Sequence, residues 1–129
     1  MNRTVMEAIA GRTQVMVDAG ESVRETARKI LEQGVSAAII IESGRLMGVF
    51  TERDALRFFA EAPYNPDTTN IGAVMTRDPV TVPPETPIPE AKQLMLRKGF
   101  RHLPVVDSGR VLGIVSLRGL SRAMTGVTV

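Results

Sequence analysis

Residues 101–119 read RHLPVVDSGRVLGIVSLRG, and residues 36–54 read SAAIIIESGRLMGVFTERD. In both stretches an apolar run meets Ser-Gly and a second apolar run follows. A hydroxyl residue, Ser116 or Thr51, then stands three positions before the end. Two apolar strands joined by a two-residue turn with glycine make a β-hairpin, and the hydroxyl residue sits where a helix would be capped. The correspondence extends well beyond the hairpin. A shift of 65 places residues 4–61 on residues 69–126 without a gap and with fourteen identities, among them Gly34/Gly99, Gly48/Gly113 and Arg57/Arg122. An internal repeat of this length sets the architecture before any single element is assigned.

Outward from the hairpin, each copy reads alike. A short extended piece, 14–17 or 79–82, ends in turn residues and predicts a strand. Apolar residues at helical spacing come next: Val23, Ala27, Ile30 and Leu31 in one copy, Ile88, Ala91, Met95 and Leu96 in the other. Ser22 with Glu25 resembles a capping box, Thr86 before Pro87 resembles an N-cap with Pro at N1, and Gly34 or Gly99 supplies a left-handed C-cap. The strands are expected at 35–41 with 45–50 and at 103–106 with 110–115, and a closing amphipathic helix comes after Thr51 or Ser116. The fold class is thus α/β (α+β), two tandem βαββα units. Their continuous apolar strands call for a sheet covered on both faces, so the expected packing is sheet to sheet about a pseudo-twofold axis. The expected boundaries are 1–61 for the first unit, 62–68 for a Pro-containing linker and 69–129 for the second.

Composition narrows the function. Of the 129 residues 43% are hydrophobic and 23% charged, as in an ordinary globular protein, with no apolar run of membrane-spanning length. The N-terminal MNRTVMEAIAGRT lacks the apolar core of a secretory leader and is expected to belong to the fold. Absence of cysteine excludes disulfides, thiol catalysis and thiolate metal sites, and a cytoplasmic location is the default. A net charge of +2, no Trp, one Tyr and four Phe argue against single-strand nucleic-acid binding. The methionines Met6, Met47, Met75, Met95 and Met124 fall on apolar repeat positions and are expected to fill the core.

Three segments carry a family resemblance: RHLPVVDSGRVLGIVS, GVFTERD and MTRDPVTVPPETPIPEA. They resemble cystathionine-β-synthase (CBS) domains, whose tandem pairs form Bateman modules, and the likeness covers nearly the whole chain. It implies a stand-alone regulatory module in signal transduction, without a required cofactor. Such a module takes AMP, ADP, ATP or NAD as regulatory ligand, acts on a separate effector protein and forms a homodimer.

In that family a Gly-x-x-[Ser/Thr]-x-x-Asp run places a hydroxyl toward phosphate and a carboxylate on the ribose. Gly48 to Asp54 matches it, with Val49, Thr51 and Asp54 in the candidate site. A carboxylate accepts from two vicinal hydroxyls, and a helix N-terminus attracts an anion. By the same resemblance the other copy contributes Arg77, Asp78, Pro79 and Val80 to a base pocket, and Arg101, His102 and Pro104 to the phosphates. The family order is His-Arg where this chain has Arg-His. The equivalent second cleft has Ser116, Gly119, Ser36 and Ala37, lacking both anchors, so one nucleotide per chain is expected.

An enzyme is not expected. The sequence has no nucleophile with a neighbouring histidine motif, no paired histidines and no Walker-type loop. The alternative reading is a nucleic-acid-binding or purely scaffolding protein of the same fold.

Overall fold

Both Ser-Gly pairs form tight turns with two successive positive φ values, 51° and 77° at Ser43 and Gly44 and 51° and 80° at Ser108 and Gly109. That geometry matches the twist of the strands it joins. The computed structural model describes residues 3–125. Along the chain run α1 (Val5–Ile9), β1 (Met16–Asp18), α2 (Val23–Gln33), β2 (Ala37–Glu42), β3 (Arg45–Thr51) and α3 (Glu52–Glu61). They are followed by α4 (Ile71–Val74), β4 (Thr76–Arg77), α5 (Ile88–Lys98), β5 (His102–Asp107), β6 (Arg110–Ser116) and α6 (Leu117–Thr125). The βαββα order appears twice, preceded each time by a short helix that strand and helix periodicity had not announced.

Those short helices set the compact units, which do not coincide with the repeats. One unit is Thr13–Pro79; the other takes the start of the chain through Arg12 together with the chain from Val80 onward. Helix α1, at the head of the first repeat, buries Val5 and Ile9 among Ile88, Met95, Leu103 and Leu120 of the second. Its equivalent α4, at the head of the second repeat, buries Ile71 among Val23, Ile40 and Phe50 of the first. Each leading helix is therefore exchanged, so boundaries at 61 and 69 mark the repeats and not the cores. Burying such a side chain contributes roughly 1.5–3 kcal/mol, enough to override sequence proximity. Residues 62–68 also do more than connect: Arg24 donates to Asp67 at 2.5 Å, and the Arg24 amide donates to the Pro66 carbonyl at 3.0 Å.

Within residues 13–79 the sheet has the order β1-β2-β3-β4. Strands β1 and β2 are parallel, while β2, β3 and β4 run antiparallel. The other unit has β5 and β6 paired antiparallel, with Val82 making an isolated parallel bridge to Val105. The expected strand at 79–82 shrinks to that bridge, because Pro79, Pro83 and Pro84 have no N–H to give a ladder.

The helix signals hold with three corrections. Gly34 and Gly99 end α2 and α5 at φ 66° and 77°. Ser22 accepts from the Glu25 amide, but the Glu25 carboxylate turns to Arg28 instead of closing a box. Pro87, not Thr86, is the N-cap of α5, without a side-chain cap; Thr86 is buried. Leu31 and Leu96, expected on the buried faces, are 81% and 70% exposed, and Met6 and Met124 are also exposed. In α2 and α5 the seam narrows at the last turn, leaving Ile30 and Met95 inside.

Candidate functional site

Strand β3 runs into α3 at Thr51, whose extended backbone (φ −93°, ψ 165°) makes it the N-cap. Thr51 Oγ1 accepts from the Asp54 amide at 3.1 Å, and Asp54 Oδ2 accepts from the Thr51 amide at 2.9 Å. This reciprocal cap fixes both side chains while leaving Oδ1 of the carboxylate outside it. Half-buried Asp54 stands on the wall of a groove of about 450 Å³. Phe50, Phe58 and Val74 give that groove an apolar lining, and Arg57, Glu61 and Thr76 give it polar groups.

Strand β4 completes the wall. Gly48 pairs with Arg77 and Val49 with Thr76, so the pleat sends alternate residues of β4 to opposite sides. Thr76 lines the Asp54 groove. Arg77 lines a second cavity of about 310 Å³ with Asn70, Gly72 and Met75, and one of its guanidinium nitrogens donates to the Gly72 carbonyl at 3.1 Å. Thr76 is thus the β4 residue on the wall of the Asp54 groove, and Arg77 stands on the second cavity. Val49 is buried in β3, and Asp78 takes a left-handed φ of 47° with its amide 3.3 Å from the Met47 carbonyl. Pro79 closes this unit.

Val80, Arg101, His102 and Pro104 belong to the other unit. Val80 is 36% exposed. Arg101 is exposed, and its carbonyl accepts from the Leu117 amide at 2.8 Å. His102 is half-buried and pairs with Ser116, while Pro104 is buried and accepts from the Val82 amide at 3.0 Å. At the start of α6 Ser116 Oγ accepts from the Gly119 amide at 2.9 Å, with no carboxylate to return the bond. No group of three or more His, Cys, Asp or Glu able to hold a metal occurs among the described residues.

Sequence reasoning missed Arg57, Phe58 and Glu61. Their signal was present, since 54, 57, 58 and 61 follow the i, i+3, i+4, i+7 spacing of one helix face.

The fold defines a tandem pair of βαββα modules with one capped carboxylate facing a groove. The CBS domain model matches residues 5–61 and again residues 71–126. The chain belongs to the CBS-domain family. It is 34% identical over 127 residues to an uncharacterised 17.7 kDa protein of Acidianus ambivalens, covering 96% of this chain and 75% of that one. An inosine-5'-monophosphate dehydrogenase of Korarchaeum cryptofilum is 34% identical over 113 residues, which are 87% of this chain and 22% of the enzyme. The chain thus spans under a quarter of that relative's length. Among solved structures, a CBS-domain containing protein from Agrobacterium tumefaciens superposes with a TM-score of 0.83 at 26% identity, covering 95% of this chain and 99% of that one. CBSX2 in complex with AMP superposes with a TM-score of 0.76 at 28% identity over 88% of each chain. Among the described residues, no helix is long and apolar enough to cross a membrane.

Proposed function

We propose that this chain is a regulatory module that binds an adenosine nucleotide in the groove of residues 13–79 and passes the bound state to a separate effector protein. Asp54 accepts the ribose hydroxyls, and the N-terminal end of α3 at Thr51 faces the phosphate. The observation that carries this reading is the Asp54 carboxylate, fixed by its cap through Oδ2 on the wall of a 450 Å³ groove. The AMP complex of CBSX2 supports it. The module works by linkage: a ligand that binds the folded state stabilises it and biases whatever conformation the effector reads. It returns the nucleotide chemically unchanged.

Titration calorimetry with AMP tests the reading. One dominant site per chain is expected, and Asp54→Ala should cost roughly 1.5–3 kcal/mol of binding, about a tenfold to hundredfold loss. Gly119→Ala should leave the affinity intact. Two equal sites per chain, or indifference to Asp54→Ala, would refute it. The reading also takes the chain as a homodimer through the exposed Leu56 and Phe59 of α3, which are 72% and 47% accessible. Light scattering across a concentration series checks this, and a constant monomer mass rejects it.

A further inference from the structure

The two compact units carry opposite charge. Residues 13–79 hold seven Lys and Arg against ten Asp and Glu, a net −3, whereas the rest of the chain holds nine against four, a net +5. Much of the difference falls at one equivalent place in each unit, where one long helix ends and the closing helix begins. In the unit of residues 13–79 the Glu52 amide at the start of α3 donates to the Ser36 carbonyl, just past the end of α2, at 2.9 Å. In the other the Leu117 amide at the start of α6 donates to the Arg101 carbonyl, just past the end of α5, at 2.8 Å. These bonds hold each pair of helix ends together.

Around the first pair stand Leu31, Glu32 and Glu52, and around the second Leu96, Arg97, Lys98 and Arg101, all of them exposed. Leu31 and Leu96 share a repeat position, and at 81% and 70% they are two of the three most exposed large apolar side chains among the described residues. The same apolar knob is thus set among acids on one unit and among bases on the other. Arg53 and Arg118 are common to both helix starts and leave the contrast unchanged. Local helix energetics account only for the basic end. Arg97 and Lys98 in the last turn of α5 suit the helix dipole, while Glu32 in the last turn of α2 opposes it. None of the three enters the ion pairs of the described residues, which are Arg24–Asp67, Arg28–Glu25 and Lys29–Glu21.

We infer that the acidic end of α2 docks on the basic end of α5 of a second copy of this chain, Leu31 against Leu96 and Glu32 against Arg97 and Lys98. The inference rests on the homodimer reading above and adds the orientation of the two copies. A twofold axis makes the contact twice, with unlike charges meeting each time. Like end on like end would set Glu32 against Glu32, and Arg97 and Lys98 against their own counterparts. Complementary charge fixes the register and suppresses that arrangement, while the leucines supply the apolar burial.

Light scattering on the full chain across a concentration series tests it. Glu32→Lys should raise the dimer dissociation constant about tenfold, because an attractive contact becomes repulsive at two places. Arg97→Glu combined with Lys98→Glu should do the same. A chain carrying all three reversals should dimerise like the wild type, since each end has then changed sign. The three side chains are exposed, so the variants should keep their fold, which thermal melts verify. Indifference to the separate reversals, or failure of the combined chain to recover, overturns the inference. Leu56→Asp separates the two failures. If it dissociates the dimer while the charge reversals do nothing, the dimer stands and only its orientation falls. A wild-type monomer at every concentration removes both readings. If that monomer binds a labelled RNA oligonucleotide and loses it with Arg97→Glu and Lys98→Glu, the basic end serves nucleic acid and the inference is overturned.

Discussion

At the start of α3, Thr51 and Asp54 exchange two hydrogen bonds; at the start of α6, Ser116 accepts one from the Gly119 amide and nothing returns. The two helix starts occupy equivalent repeat positions and follow equivalent strands. Around them the sheets also differ, with four strands in the unit of residues 13–79 and two plus a bridge in the other. One residue, the third of the closing helix, separates a helix start that carries a groove-facing carboxylate from one that is merely capped. The additional strand β4 does the rest by bringing Thr76 to the groove wall. A repeat thus preserves the scaffold while a few positions decide which helix start carries a reciprocally capped carboxylate.

The strongest way to break this contrast is to push β4 away from β3. A Cβ on Gly48 would collide with the Thr76 carbonyl oxygen and stand 2.7 Å from Met75 Sδ. The carbonyl is backbone of a paired strand and cannot swing aside as a side chain would. Gly48→Ala should therefore cost about 3 kcal/mol of stability, the upper end for overpacking, read as a lowered urea midpoint at constant slope. It should also weaken AMP, because Thr76 moves with β4. A loss below about 1 kcal/mol would mean that β4 yields freely and that the groove wall is not fixed by this pairing.

Much of this was legible in the sequence, and the misses share a cause. The hairpins, the glycine C-caps and the Thr51 cap were readable because each depends on a few adjacent residues. The exchange of α1 and α4 was not, because Val5 and Ile71 look equally at home in either core and the choice is made by contacts distant in sequence. Leu31 and Leu96 misled for a related reason: periodicity places them beside Ile30 and Met95, yet both are exposed. In the candidate site the capped carboxylate is legible, while the place of Thr76 on the groove wall is not. The alternation of a two-residue strand is fixed only by its pairing with β3.

The smallest expected effects concern the caps themselves. Thr51→Ala removes the acceptor for the Asp54 amide and unseats the carboxylate that caps the Thr51 amide in return, so it should cost about 1–2 kcal/mol. Ser116→Ala removes one bond and should cost about 0.5–1 kcal/mol. Gly119→Asp should narrow the gap from the other side. A Cβ there would stand 3.1 Å from Ser116 Oγ, close enough that the cap must give slightly. Replacing a helical glycine and placing an acid in the first turn should still raise stability by about 1 kcal/mol. In that background Ser116→Ala should cost as much as Thr51→Ala does, since the reciprocal box is then present in both copies. Thermal or urea melts of the single and double variants measure the coupling directly. Equal costs in the unmodified chain would mean that the return bond from Asp54 adds nothing to its helix. The carboxylate would then be there for what it binds, which strengthens the case for the groove over the case for the cap.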